Sequence, residues 1–336
     1  MNYKQLTGTD LLVSNLCLGT VQFGSAIGEK ECFEQLDEFT DLGGNFLDTA
    51  HVYGDWLAGE RARSERVIGK WLKQSGKRNN YVISTKGAHP RLDSMEVSRV
   101  SREAIMTDIE ESLKCLGADT IDLYFLHRDD ESVSVCEILD ILETARKKGY
   151  IRYYGCSNWK LKRLKEAQRA AEANHFSGFV CNQLMWSLAD MNPAGLGDPT
   201  LVWMDLENFT YHKEKQLSAM AYMSVAKGYF SKLLKGDMIP ENVAAIYENE
   251  ANYKITEELK ALKACGITPV QACISYFNEQ PFTAIPLASF RSTEQMKETV
   301  AGCDVTLSME VRKRINNIKT FVSDLRKWHK ESGDSN

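Results

Sequence analysis

Three ionisable residues stand where packing alone would not put them. Asp48 closes the run NFLDT (45–49), Lys86 follows YVIST (81–85), and His127 follows IDLYFL (121–126). Tyr53 lies five residues beyond Asp48, in the segment that leaves the first of these runs. Each has an ordinary structural role when taken alone: a cap or turn for Asp48, a first solvent-facing residue for Lys86, a cap for His127, packing for Tyr53. Together they are the parts of a proton donor. A phenol is a weak acid, with a pKa of about 10. A lysine ammonium at hydrogen-bond distance is expected to stabilise the phenolate and lower that value. A carboxylate beside the lysine keeps it charged, and a neutral imidazole can polarise a carbonyl or relay a proton. The set suits protonation of a carbonyl oxygen. The chain has no Ser-His-Asp order and no H-E-x-x-H spacing, so a bound hydride donor best fills the missing two-electron role. A Schiff base at Lys86 is disfavoured, because a paired Asp48 keeps that amine protonated.

These groups meet only if their strands are parallel and end on one side. The chain alternates short apolar runs with amphipathic stretches, as such a sheet requires. Strands are predicted at 16–19, 45–49, 81–85, 121–126, 151–156, 178–182, 217–222 and 282–286, with helices near 29–42, 62–74, 99–116, 134–148 and 160–173. Gly43-Gly44, Gly76, Gly117 and Gly149 punctuate the first four helix ends. Eight βα units fit an α/β fold of the (β/α)8 TIM-barrel type better than an open doubly wound sheet. The latter should carry G-x-G-x-x-G after its first strand, and Gly19, Gly24 and Gly28 do not have that spacing. Residues 3–13 read as a β-hairpin closing the bottom of the barrel. The stretches 187–200 and 223–253 read as long top-face connections, where barrels hold ligands. Residues 308–331 read as a charged amphipathic helix with a solvated basic face. The whole of 1–336 is expected to form one barrel domain.

Composition narrows the function. The 336 residues carry 41 Lys+Arg against 46 Asp+Glu, a net charge of −5. That is a poor electrostatic match for nucleic acid. The N-terminus lacks an apolar signal region, and no apolar run approaches the ~18 residues of a membrane span. Nine cysteines include no C-x-x-C pair. Cys17, Cys156 and Cys181 lie in strand-like runs and read as small buried hydrophobes. A cytoplasmic protein with no disulfide framework and no metal site is expected. A monomer and a homo-oligomer are both compatible with the chain.

Several motifs, in order, resemble the aldo-keto reductases over about residues 10–300: LCLGTVQFG (16–24), GGNFLDTAHVYG (43–54), STKG (84–87), SLKCLGADTIDLYFLHRDD (112–130), KKGYIRYYGCSNW (147–159) and CNQLMWS (181–187). AMAYMSVAKG (219–228) and AIPLASFRSTEQMKE (284–298) match more weakly. The resemblance implies a (β/α)8 barrel that binds NADPH, in preference to NADH, without a dinucleotide-binding fold. It implies reversible reduction of an aldehyde or ketone, with Tyr53 as general acid, Lys86 and Asp48 as the pair that tunes it, and His127 orienting the substrate. Ser157, Asn158 and Gln183 match the residues that hold the nicotinamide carboxamide, and Tyr222 the ring on which nicotinamide stacks. Gly19 and Thr20 join the cofactor set. Ser289, Arg291 and Gln295 would meet the adenosine ribose and its 2′-phosphate, for which a guanidinium is suited. The chain departs from the family at Ser289, where glycine is usual, and at Met223-Ser224-Val225-Ala226, where Ser-Pro-Leu-Gly is usual. The same family includes cofactor-binding regulatory subunits of potassium channels, so a slow NADPH-binding sensor is the alternative.

The substrate pocket is expected from Phe23, Trp56, Arg128, Trp159 and Trp186, with Trp203 and Asp55 nearby. Such an aromatic and polar mouth would suit a small carbonyl compound of sugar-like character.

Overall fold

The computed structural model describes residues 1–320. Eight parallel strands close into a barrel: β3 (Cys17–Gly19), β4 (Phe46–Asp48), β5 (Val82–Gly87), β6 (Ile121–Leu126), β7 (Ile151–Ser157), β8 (Cys181–Met185), β9 (Ser218–Tyr222) and β10 (Ala284–Ala288), which pairs back onto β3. Helices α1 (Glu29–Asp41), α2 (Arg63–Ser75), α3 (Arg102–Leu116), α4 (Val135–Lys147), α5 (Leu161–Asn174) and α6 (Leu206–Lys215) connect the first seven barrel strands. The predicted (β/α)8 barrel is therefore the observed fold.

Alternation along each strand divides its side chains between two layers. In β6, Leu123 and Phe125 join the barrel interior with Cys17, Phe46, Cys181, Met220 and Ile285. Tyr124 and Leu126 point into the apolar layer shared with the helices. At the bottom, the antiparallel pair β1 (Tyr3–Gln5) and β2 (Leu12–Ser14) forms the expected hairpin, and its Leu6, Leu11 and Val13 plug the interior cluster. An open groove of about 490 Å³ lies beside this plug. Most of its charges are paired: Arg152 bridges Asp10 and Asp122, and Arg78 also holds Asp122. That groove fastens hairpin to barrel, at the end opposite the catalytic candidates.

Several boundaries differ from expectation; α3, for one, begins at Arg102 rather than 99. The sixth barrel strand begins at Cys181 rather than 178. Gly178 has φ +71°, its N–H donates to the Tyr154 hydroxyl, and the Phe179 N–H donates to Gln168 Oε1, so side chains replace a ladder there. The eighth begins at Ala284 because Phe282 turns into an aromatic cluster first. The expected loop 223–253 contains α7 (Tyr229–Lys235), α8 (Glu241–Tyr247) and the start of α9 (Glu250–Ala264). Helices α10 (Pro269–Ser275), α11 (Thr293–Ala301) and α12 (Met309–Ile318) follow. The predicted helix 308–331 is corrected at Ile318, where α12 ends: Lys319 turns extended and donates to the Ser187 carbonyl at 2.8 Å rather than joining a solvated basic face, and residues 321–331 lie outside the described residues. No helix among the described residues is long and apolar enough to cross a membrane.

Helix α2 matters to the site because its first turn carries Ser64 and Glu65, both fully buried. It reaches its place by close approach to α3: a Cβ on Gly69 would lie 2.1 Å from the Cys115 carbonyl oxygen. Alanine normally stabilises a helix interior by about 1 kcal/mol over glycine. Gly69→Ala is expected to do the reverse, lowering unfolding free energy by roughly 1–3 kcal/mol through overpacking. Urea denaturation measures this, and a stabilised variant would contradict the close packing.

Candidate active site

The β4–β5 register places Asp48 opposite Ser84, so Lys86 stands two residues further toward the C-terminal rim on the same face. Both Asp48 and Lys86 are buried to 1% exposure. The Lys86 ammonium donates to Asp48 Oδ2 at 2.5 Å, to the Thr49 carbonyl at 2.8 Å and to the Tyr53 hydroxyl oxygen at 3.2 Å. An ammonium has three protons, and all three are used. Ser84 Oγ and Gln183 Nε2 donate to the other oxygen of Asp48, at 2.8 and 2.9 Å. The phenol oxygen of Tyr53 therefore accepts from Lys86 while its own proton is not needed to satisfy the lysine.

Residues 49–53 are fastened on both sides. The His51 N–H donates to the Lys86 carbonyl, and Ser64 Oγ lies 2.7 Å from Thr20 Oγ1 and 2.8 Å from Thr49 Oγ1. The His51 ring sits between Glu65 at 3.2 Å and Glu111 at 2.9 Å, and Thr85 Oγ1 donates to Glu65. Burial opposes charge on His51, but Glu65 and Asp108 outweigh it and raise its pKa. The Tyr53 loop is thus anchored through the first turn of α2 and the middle of α3.

Burial likewise opposes charge on Lys86, yet the adjacent Asp48 and the Tyr53 oxygen leave its pKa raised. For Tyr53, burial is the largest influence and pushes the pKa up; Lys86 pulls down and Asp48 pushes up, and the net direction is upward. The expected lowering of the phenol pKa is therefore not observed. Lysine alone would produce it, but its charge is compensated by Asp48 and the phenol is partly withdrawn from water at the edge of a cavity. His127 is held well below the usual histidine range by burial, by Lys86 and by Arg128, so its imidazole is neutral. Its ring meets Tyr53 edge-on at 6.0 Å and His89 at 4.8 Å.

A cavity of about 370 Å³ opens above these groups. Asp48, Tyr53, His127 and Arg128 line one part, Ser157, Asn158, Gln183 and Tyr222 another, and Gly19, Thr20, Lys227 and Ser289 a third. Asn158 takes a left-handed φ of 60°. Its amide oxygen accepts from the Tyr222 hydroxyl at 2.6 Å and the Val202 N–H at 3.2 Å, and its amide nitrogen donates to Ser157 Oγ. Ser289 Oγ donates to the Gly19 carbonyl, and a Cβ on Gly19 would come 3.0 Å from that hydroxyl. A side chain there would narrow the cradle. Arg291 and Gln295 do not line the cavity. They lie beyond Ser289 at the start of α11, exposed, with Gln295 Oε1 accepting from the Arg291 N–H. The set offers amide and hydroxyl groups near Tyr53 and cations at the far rim, which fits an elongated ligand with a polar head and an anionic tail.

The aromatic mouth is corrected. Trp159 is fully buried against Phe179 and the Arg163 guanidinium. Trp186 is buried among Phe209, Tyr276, Phe277 and Phe282, and Phe23 belongs to the core cluster with Ile27 and Val67. Trp56 is 50% exposed and does not line the cavity. Of the five pocket candidates only Arg128 lines it. Asp55 accepts from Arg61 and from the Ala62 N–H, stapling its own loop. Sequence reasoning missed His89, Lys227 and Asp198, which bonds Arg128. Lys227 was legible as the only charge in 219–228; Asp198 had no local signal. Ala226 replaces the family's usual glycine and takes the left-handed φ of 48° that glycine adopts freely.

The sequence profile of the aldo/keto reductase family matches residues 15–320. An uncharacterised oxidoreductase, YrpG, of Bacillus subtilis is 30% identical over 95% of this chain and 96% of its own. A probable voltage-gated potassium channel subunit beta of Arabidopsis thaliana is 26% identical over 91% of this chain and 92% of its own. The solved structure of the aldo-keto reductase AKR11C1 from Bacillus halodurans, in its holo form, superposes with a TM-score of 0.75 at 25% identity, covering 97% of this chain and 99% of that one. With barrel, register and family profile in agreement over nearly its whole length, the chain belongs to the aldo/keto reductase family and is an oxidoreductase.

Proposed function

We propose that this protein reduces an aldehyde or ketone to the alcohol, reversibly, with Tyr53 as general acid and NADPH as its reductant. The observation that carries the proposal is the exhaustion of the Lys86 protons on Asp48, Thr49 and Tyr53 beside an open cavity. Lys86 stabilises negative charge on the Tyr53 oxygen as the proton leaves, and Asp48 keeps Lys86 ammonium throughout. Neutral His127 faces the same carbonyl oxygen and orients it. Ser157, Asn158 and Gln183 bind a carboxamide, and Tyr222 offers a ring face. A bound nicotinamide dinucleotide supplies the hydride. The cations Lys227 and Arg291 suit its phosphates, and Arg291 favours a 2′-phosphate and hence NADPH. Burial of Trp159 and Trp186, with Trp56 outside the cavity lining, removes the argument for a sugar-like substrate. A cytoplasmic setting fits nine free thiols.

The channel-subunit relative keeps the sensor reading in view, and Tyr53→Phe separates the two. An enzyme should lose kcat by about 10²–10⁴ in NADPH consumption with a reactive aldehyde. Tight cofactor binding with little turnover in both forms would support the sensor instead. Lys86→Met should lower stability by about 3–5 kcal/mol, because it strands Asp48 buried and unpaired. Asp48→Asn combined with Lys86→Met should recover part of that loss in urea unfolding. If the single lysine variant is as stable as wild type, the pair is not buried as described. Since the Tyr53 pKa is raised and that of His127 lowered, reduction at saturating substrate should keep a flat kcat from about pH 6 to 9. It should fall only as Tyr53 loses its proton, above the ordinary value of about 10. A decline through pH 7 would place the donated proton on another group.

A further inference from the structure

The charged groups lining the cavity are Asp48, Arg128 and Lys227. Asp48 is neutralised by Lys86, and Lys227 lies in the β9–α7 connection with Ser224 and Val225, on the cofactor side of the proposed reaction. Arg128 therefore supplies the charge on the substrate side, immediately after His127. Its positive field acts on Tyr53, His127 and His89 alike.

The pairing of this guanidinium is unlike that of other arginines near the rim. Arg99 grips Asp108 with two bonds of 2.8 and 2.6 Å, and Arg163 grips Asp129 with two bonds of 3.0 and 3.2 Å. Arg128 donates Nη1 to the His127 carbonyl at 2.9 Å and only Nη2 to Asp198, at 3.2 Å. Charge-assisted bonds usually run about 2.7–2.9 Å, and guanidinium–carboxylate recognition is commonly bidentate. The other oxygen of Asp198 is occupied by its own turn, accepting from the Thr200 N–H and hydroxyl at 2.8 and 2.6 Å. Asp198 belongs to the connection between β8 and α6, and Leu201 of the same segment lines the cavity. A carboxylate on a loop thus sits end-on at an arginine that the barrel itself holds beside Tyr53.

We propose that Arg128 is a specificity-determining residue that binds an anionic group on the carbonyl substrate, and that Asp198 stands in for that anion in the free protein. The inference rests on the reductase reading and narrows it to oxo-acids or carbonyl phosphates, whose negative group lies a few bonds from the reacting carbon. The substrate anion takes the Nη2 edge, and Asp198 is released with its loop. Asp198 then competes with the substrate. The two residues should have opposite effects on anionic substrates, which a purely structural salt bridge would not show.

The test compares matched pairs: 4-carboxybenzaldehyde against benzaldehyde, 4-oxobutanoate against butanal, and glycolaldehyde phosphate against glycolaldehyde. Wild type should prefer the charged member, and the arms separate carboxylate from phosphate recognition. Arg128→Gln should reduce the charged-to-neutral ratio of kcat/KM by about 10- to 100-fold, through KM. Asp198→Asn should raise kcat/KM for the charged member. Calorimetric binding of 4-carboxybenzaldehyde to the NADP+-loaded protein, which cannot reduce it, reads the same discrimination without turnover. Failure of reduction with retained Arg128-dependent binding would overturn the reductase reading alone. Equal losses for charged and neutral partners in Arg128→Gln, or weaker charged-substrate binding in Asp198→Asn, would overturn the inference.

Discussion

The contact on which the rest depends is a buried ion pair. An ammonium and a carboxylate, each taken almost wholly out of water at the end of neighbouring parallel strands, are costly to desolvate and are tolerable only if every lone pair and proton is matched. Here the matching is complete on the lysine: Asp48, Thr49 and Tyr53 take its three protons. On the aspartate, Ser84 and Gln183 satisfy the second oxygen. The phenol is recruited as part of that satisfaction. Positioning of the proton donor and stabilisation of the buried pair are therefore one arrangement.

The barrel makes this arrangement possible and the surrounding loops make it rigid. Parallel register converts spacing in sequence into height in the barrel, so strand ends separated by 38 residues meet within hydrogen-bond distance. The Tyr53 loop is held between β5 and the first turn of α2, whose placement relies on an unsubstituted position facing α3. The hairpin and its ion pairs close the opposite end. Stability and chemistry are thus concentrated at opposite ends of the strands, as expected for this architecture.

Much of this was legible in the sequence because polar residues at the ends of apolar runs stand out. Asp48, Lys86 and His127 each follow a run that has no packing reason to end in charge. What could not be read is which way an aromatic residue faces. Trp159 and Trp186 lie just past their strands, one residue after Asn158 and three after Gln183, and such spacing serves the mouth or the outer core alike; tertiary packing decided for the core. The start of β8 was shifted because side chains of Gln168 and Tyr154, distant in sequence, satisfy the amides of 178–179. The pKa of Tyr53 was misjudged for a related reason: a lysine's pull is visible in the pattern, whereas the depth of burial is not.

The central claim is that burial, with Asp48 compensating Lys86, keeps the phenol protonated. Titration of Tyr53 by 13C NMR, with the ring carbon bearing the hydroxyl labelled, tests it directly. The account predicts a Tyr53 pKa above the ordinary tyrosine value in the wild-type protein, and a fall when Asp48→Asn leaves the lysine charge uncompensated. A phenol already ionised near neutral pH, or one unmoved by the substitution, would contradict it.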